Sequence, residues 1–189
     1  MMKMKIALLL SFTALFFVAA HAQTEKGKLL VGASTSNLGF QTGHGATAYG
    51  FQLRPNAGLF ILDNFTVGLR LIYGQSYSKA GIGPKYFSSN FAYGVFGRYY
   101  IPLTQRLKLP IEVELGNGFT LANSISNFRG ASFRATALAG LSIFVAQNIS
   151  FDLMAGYGAS ESLGIVKNHF GQLVGNVGVS LYLNSKSKK

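Results

Sequence analysis

Apolar and polar residues alternate along most of this chain, and the alternation holds one phase almost from end to end. In Phe51-Gln52-Leu53-Arg54-Pro55-Asn56-Ala57-Gly58-Leu59 the odd positions are apolar and the even ones are Gln, Arg, Asn and Gly. The same phase returns in 65–71, 109–116, 149–153 and 177–181. A period of two is the signature of strands with unlike faces. Eight such runs are predicted, at 28–38, 47–62, 65–77, 90–103, 107–120, 133–145, 149–158 and 169–183.

Three connections between them are short, at Asp63-Asn64, Thr104-Gln105-Arg106 and Ala146-Gln147-Asn148. Four are longer and rich in Gly, Ser, Asn and Lys, at 39–46, 78–89, 121–132 and 159–168. Short and long connections alternate strictly, which predicts an all-β fold: a transmembrane up-and-down antiparallel β-barrel of about eight strands. The short turns recur about every 42 residues, a hairpin repeat in which Ala57-Gly58-Leu59-Phe60 is echoed by Ala139-Gly140-Leu141-Ser142. A turn centred on Gln105 sets Arg98 opposite Glu112, Gly94 opposite Gly116 and Phe96 opposite Glu114.

Alternation alone does not decide which face looks outward, since a soluble barrel would turn its apolar face inward. The odd face carries almost no charge at the strand centres, while the even face holds Gly58, Gly68, Gly94, Gly116 and Gly140. A narrow barrel needs such small residues among large ones inside. A water-facing surface would need many Lys and Glu, so the apolar face is assigned to lipid. Aromatics fall near both ends of the runs. Phe60, Phe65, Tyr99, Phe151 and Tyr182 lie toward the short turns; Tyr49, Tyr73, Tyr77, Phe91, Tyr93, Phe119, Tyr157 and Phe170 lie toward the long connections. That is the distribution of two interfacial belts.

Composition agrees. Only 12% of residues are charged, against roughly a quarter in a soluble domain. There is no Cys, which excludes disulfides and thiolate chemistry. Residues 1–22 read as a signal peptide: Lys3 and Lys5 precede the apolar stretch Ile6 to Ala20, and Ala20-His21-Ala22 offers a cleavage site before Gln23. The apolar stretch falls short of the ~20 residues that a membrane helix needs. Residues 23–183 are then one barrel domain and 184–189 a polar tail. Without Lys3 and Lys5 the 17 basic residues fall to 15 against 6 acidic ones, a net of +9. An apolar exported chain with no membrane helix fits a closed barrel, which satisfies every backbone group in lipid.

Over residues 27–183 the chain resembles the small OmpX/OmpA-type outer-membrane barrels. The resemblance rests on Pro55-Asn56-Ala57-Gly58-Leu59-Phe60 leading to Asp63-Asn64, and on Arg98-Tyr99-Tyr100-Ile101-Pro102. It implies a bacterial outer-membrane protein without enzymatic activity, and its motifs are structural. The chain departs from the pattern at its C-terminal end, where such barrels commonly finish on an aromatic residue; here Leu181-Tyr182-Leu183 is followed by 184–189.

Candidate chemistry is sparse. Even positions place Arg54, Arg70, Arg98, Lys108, Glu112, Glu114 and Asp152 in the lumen, as a charge network that fills the barrel or, alternatively, as a polar passage. Buried charges persist when paired, which favours filling. Glu112 and Glu114 suggest acid/base work only superficially, because arginines share their face. His44 and His169 lie at loop edges with no Ser fixed beside them and too few ligands for a metal. Gly81-Ile82-Gly83-Pro84-Lys85 lacks the ending of a phosphate loop. No cofactor, metal or nucleic-acid partner is expected. Lys186 to Lys189 read as a solvated end, and Lys79, Lys85, Arg129 and Lys167 in the long connections are candidates to meet lipopolysaccharide phosphates or an unidentified surface partner. The expected function is therefore a structural or surface-interaction barrel, expected as a monomer, with a narrow solute pore as the alternative and a lipid-modifying enzyme third.

Overall fold

A computed structural model describes residues 24–43, 46–80, 85–123, 128–162 and 169–184. It contains eight strands: β1 (Lys28–Gly43), β2 (Ala46–Leu62), β3 (Phe65–Ala80), β4 (Lys85–Pro102), β5 (Leu107–Asn123), β6 (Phe128–Ala146), β7 (Ile149–Ser162) and β8 (His169–Asn184). Each pairs antiparallel with its neighbour in sequence, and β1 pairs with β8 to close the barrel. Closure leaves no edge strand with unpaired backbone groups. The expected all-β up-and-down barrel of eight strands is the observed one.

The three short turns lie where the alternation breaks. At Asp63-Asn64 the chain reverses through a positive φ of 62° at Asn64, a conformation that Asn tolerates better than most residues. Register shifts at Phe60/Leu62 and Phe144/Ala146 put a bulge beside two of the turns. The structural counterpart of Phe60 is therefore Phe144 rather than Ser142, and the sequence echo is offset by two residues from the true hairpin repeat.

The strands run further than alternation predicts. Residues read as long connections are largely β-sheet: Thr47 pairs with Lys79, Ser78 with Tyr86 and Leu121 with Arg129. Lys79, Lys85 and Arg129 consequently belong to strands β3, β4 and β6 instead of loops. Lys167, His44 and Gly81–Pro84 lie outside the described residues, as do the signal segment and the Lys186–Lys189 tail. Crossing hydrocarbon takes about 9–11 tilted residues, and these strands have 14 to 19. The surplus rises beyond the apolar zone at the end away from the short turns. There Lys79, Lys85 and Ser89 enter the odd positions that are apolar lower down, so the period-two signal fades although the ladder continues.

Exposed Leu, Val, Ile, Phe and Tyr surround the barrel on every strand, from Leu29 and Leu53 through Leu69, Val95, Val113, Leu141 and Leu153 to Val179. Aromatic pairs mark the rim away from the short turns, with Tyr49 stacked on Tyr77 at 4.9 Å and Tyr93 beside Phe119 at 6.4 Å. Two residues assigned to the opposite belt point the other way. Phe60 and Tyr182 are 1% and 3% exposed and lie inside. Their even positions place them on the inner face, and aromatic character alone does not make a residue interfacial.

Leu69 stands 66% exposed midway along the apolar outward stretch of β3, between Phe65 and Tyr73, so Leu69→Arg should lower stability in lipid vesicles by about 2–4 kcal/mol, read from urea unfolding. Ser142 faces inward with no exposure, and Ser142→Arg should act through crowding of its neighbours. A Leu69→Arg change within about 0.5 kcal/mol, the scale of an ordinary water-facing substitution, would place this face in water.

Candidate functional site

Among the described residues the lumen forms the interior, and its inward residues form layers. Nearest the short turns is an apolar floor of Leu30, Phe60, Phe96, Tyr100, Phe144 and Tyr182. Tyr182 is the hub, with ring centroids 5.0 Å from Phe144, 6.0 Å from Phe60 and 6.2 Å from Tyr100. Its hydroxyl donates to Tyr100 Oη at 3.1 Å, so the rings keep their polar ends satisfied while burying their bodies. Below the floor the segment before β1 crosses the mouth. Gly27 N donates to Phe60 O at 2.8 Å, Asn64 N to Thr24 O at 2.7 Å and Lys26 N to Asp63 Oδ1 at 2.8 Å.

Above the floor lies the charge network. The β4–β5 register sets Arg98 opposite Glu112, Gly94 opposite Gly116 and Phe96 opposite Glu114, the pairing that a turn centred on Gln105 predicts. Arg98 Nε donates to Glu112 Oε2 at 2.8 Å. Arg70 binds both oxygens of the same carboxylate, Oε1 at 2.5 Å and Oε2 at 2.9 Å. Arg70 also reaches Glu114 Oε2 at 2.5 Å, and Arg54 holds that oxygen at 2.6 Å. Arg98 Nη1 extends the chain to Tyr100 Oη at 3.0 Å and Asp152 Oδ2 at 3.3 Å. Three serines complete Asp152: Ser142 and Ser150 donate to Oδ1 at 2.6 and 2.8 Å, and Ser180 to Oδ2 at 2.6 Å. Charge-assisted bonds of this kind are roughly twice as strong as neutral ones.

Phe96 is the member of the floor that reaches into the network, as an apolar plate. The Arg70 guanidinium sits 4.7 Å from its ring centroid and that of Arg98 5.7 Å, within cation–π range. The ring has space because β2 and β3 carry glycine beneath it. A Cβ at Gly58 would meet Phe96 Cζ at 3.2 Å, and one at Gly68 would meet Phe96 Cε1 at 2.7 Å.

Of the seven lumen residues expected from sequence, six meet in one network and Lys108 does not. Lys108 Nζ donates to Thr24 Oγ1 at 2.6 Å, 5.4 Å from the Phe144 ring centroid, on the turn side of the floor. Its even position aimed it inward, but its place at the start of β5 keeps it a layer away from the carboxylates. The glutamates have no freedom for acid/base work, because arginines occupy both. His169 is exposed, with Nε2 4.0 Å from Glu161 Oε1. Among the described residues no three acidic or imidazole groups converge as metal ligands. Sequence reasoning missed the serines around Asp152, the aromatic floor and Arg134, which also faces the lumen. Even parity marks all of them, but parity does not say which inward residues meet.

In fold the barrel is similar to the crystal structure of Neisserial surface protein A, at 17% identity and a TM-score of 0.54, over 85% of this chain and 98% of that one. Pseudomonas aeruginosa supplies two further likenesses. The N-terminal β-barrel domain of OprF has 16% identity and a TM-score of 0.49, over 84% of this chain and 98% of that one. The outer membrane protein OprG has 13% and 0.48, over 86% and 99%. No protein-family model and no curated protein matches the chain. The first of these likenesses shows a shared architecture, that of the small outer-membrane barrels.

Glu112 serves two arginines and Arg98 has a second carboxylate, so their substitution should be unequal. Arg98→Ala should destabilise the folded barrel by roughly 3 kcal/mol, and Glu112→Ala by as much as about 5, the range for breaking buried pairs. In urea unfolding the double variant should lose clearly less than the sum. Strict additivity would mean that the two side chains do not interact.

Proposed function

We propose that this chain is an integral protein of the bacterial outer membrane, exported behind a signal peptide cleaved before Gln23, whose barrel has a structural or surface-interaction role and neither conducts nor turns over substrate. The observation that carries the reading is the contrast between its two faces. The outside is an unbroken apolar girdle, far beyond the few hundred Å² that water-soluble monomers usually expose. The inside, over the same height, holds paired charges and a floor of tilted and edge-on aromatic rings.

That interior argues against the pore. A solute passing along the axis would have to separate Arg70 and Arg98 from Glu112, then part Phe60, Tyr100 and Tyr182. Breaking buried pairs costs several kcal/mol, and here several would break together. Catalysis on membrane lipid would need a nucleophile and a base side by side at the rim, and nothing in the described rim favours one. The long hairpins suit the outward side. Lys79 and Lys85 pair across the end of β3 and β4, where like charges facing each other favour a bound anion; lipopolysaccharide phosphate is the natural one. A protein partner at the surface would use the same hairpin ends.

Two experiments test this. The purified barrel should give no conductance steps in planar bilayers; steady single-channel currents would replace the reading with the pore. A protease site inserted at Gly83 should be cut on intact cells and one at Gln105 should be spared. Cutting only at Gln105 would reverse the orientation.

A further inference from the structure

Above the charge network, on the side away from the short turns, the lumen widens into a cavity of about 280 Å³. Its polar lining comes from most of the barrel: Gln52 on β2, Asn90 on β4, Thr120 on β5, Arg134 on β6, Ser160 on β7 and Gln172 on β8. The space equals roughly nine waters at ~30 Å³ each, enough for a small metabolite and too little for a peptide. Because the network and the aromatic floor close the barrel beneath it, the cavity is a chamber and not part of a passage.

Arg134 is the odd member of this chamber. It faces Gly116 and Ser160 in the two neighbouring ladders, and no carboxylate pairs with it. The reason is arithmetic. The chain has only 6 acidic residues, and all of them are placed elsewhere. Glu112, Glu114 and Asp152 are committed to Arg54, Arg70 and Arg98. Glu25 is 3.8 Å from Lys28, Asp63 caps the backbone of Lys26, and Glu161 sits beside His169. Arg134, half-buried in the cavity wall, also acts electrostatically on the Arg54 guanidinium, which Glu114 already pairs. The cavity thus carries one positive side chain for which this protein has no acidic partner left.

We infer that the chamber is a binding site for a small hydroxylated oxyanion, a carboxylate or phosphate carried on a polyol, with Arg134 as its anchor. The guanidinium fork matches either oxyanion in a bidentate pair. The amides of Gln52, Asn90 and Gln172 and the hydroxyls of Thr120 and Ser160 present donors and acceptors together, the set that recognises neighbouring hydroxyl groups. An apolar acid would leave them unpaired, which weighs against fatty acids as occupants. The inference goes beyond the structural role proposed above and needs only the closed, plugged lumen.

The test uses the full barrel refolded in non-ionic detergent, with binding followed by titration calorimetry. Gluconate and glucose 6-phosphate are the probes, which separates carboxylate from phosphate; acetate tests charge alone and sorbitol tests hydroxyls alone. At least one of the first two should bind saturably, at least tenfold tighter than acetate or sorbitol, and more weakly as salt rises. Arg134→Gln should weaken that binding at least tenfold, while Arg134→Lys should retain part of it and Gln172→Ala should lose severalfold. Heat-modified gel mobility reports whether each variant has folded; if Arg134→Gln does not fold, the other two carry the test. Absence of binding to the folded barrel, equal binding by acetate, or unchanged affinity in the Arg134 and Gln172 variants would each overturn the inference. Failure to insert into vesicles would instead count against the membrane reading.

Discussion

Glu112 accepts hydrogen bonds from Arg70 and Arg98 at once, in a lumen where the carboxylate is 1% exposed and the two guanidiniums 2% and 3%. Three adjacent strands are thereby tied at one height, β3 and β4 by their arginines and β5 by its glutamate. Glu114 adds β2 through Arg54, and Asp152 adds β7 and β8 through Arg98 and Ser180. The rest of the interior takes its form from this cluster. Phe96 must lie flat beneath the guanidiniums, and Gly58 and Gly68 must stay small to admit the ring. The tyrosines next to Arg98 must be the kind of aromatic that offers a hydroxyl.

Ion pairs are not the obvious way to fill a barrel. Buried pairs often stabilise no better than apolar residues of the same volume. Their advantage here lies in what the outside demands. With an apolar outer face already fixed by lipid, an apolar lumen would leave the two faces of each strand hard to tell apart. A one-residue slip reverses the faces of a whole strand; with arginines and glutamates on the even face, it would carry charges into hydrocarbon. Charge inside thus specifies register and face, whatever its net contribution to stability.

Much of this was legible in the sequence. The period of two, its constant phase and the evenly spaced short turns fixed strand number, topology and facing, and a single turn centre fixed Arg98 against Glu112. What was not legible has physical reasons. Strand tops at 78–80 and 85–89 put Lys79, Lys85 and Ser89 at odd positions that are apolar lower down, and 121–123 ends on Asn123, so these stretches read as loops. Phe60 and Tyr182 announce aromatic rings without announcing that eight strands converge on a floor that needs them. Lys108 and Thr24 meet across 84 residues of sequence, and Ser180 reaches Asp152 across 28. The first contact depends on barrel closure and the second on the register of β7 against β8 across a long connection, neither of which a local pattern encodes.

Closure also decides how a chain of net charge +11 distributes its few negative groups. Three of the six acids are drawn to the one height where arginines from neighbouring strands converge, since that is where an unpaired charge would be most costly. The supply then runs out. At the turn end the buried Lys108 has a hydroxyl and a ring face; above the network Arg134 has amides and hydroxyls. The axis of the barrel is therefore neutralised in the middle and positive toward both ends. Focused by low-dielectric walls, such a field attracts anions to the barrel ends while the paired centre gives them no route onward. The same scarcity of acids that makes the plug compact leaves the chamber above it charged.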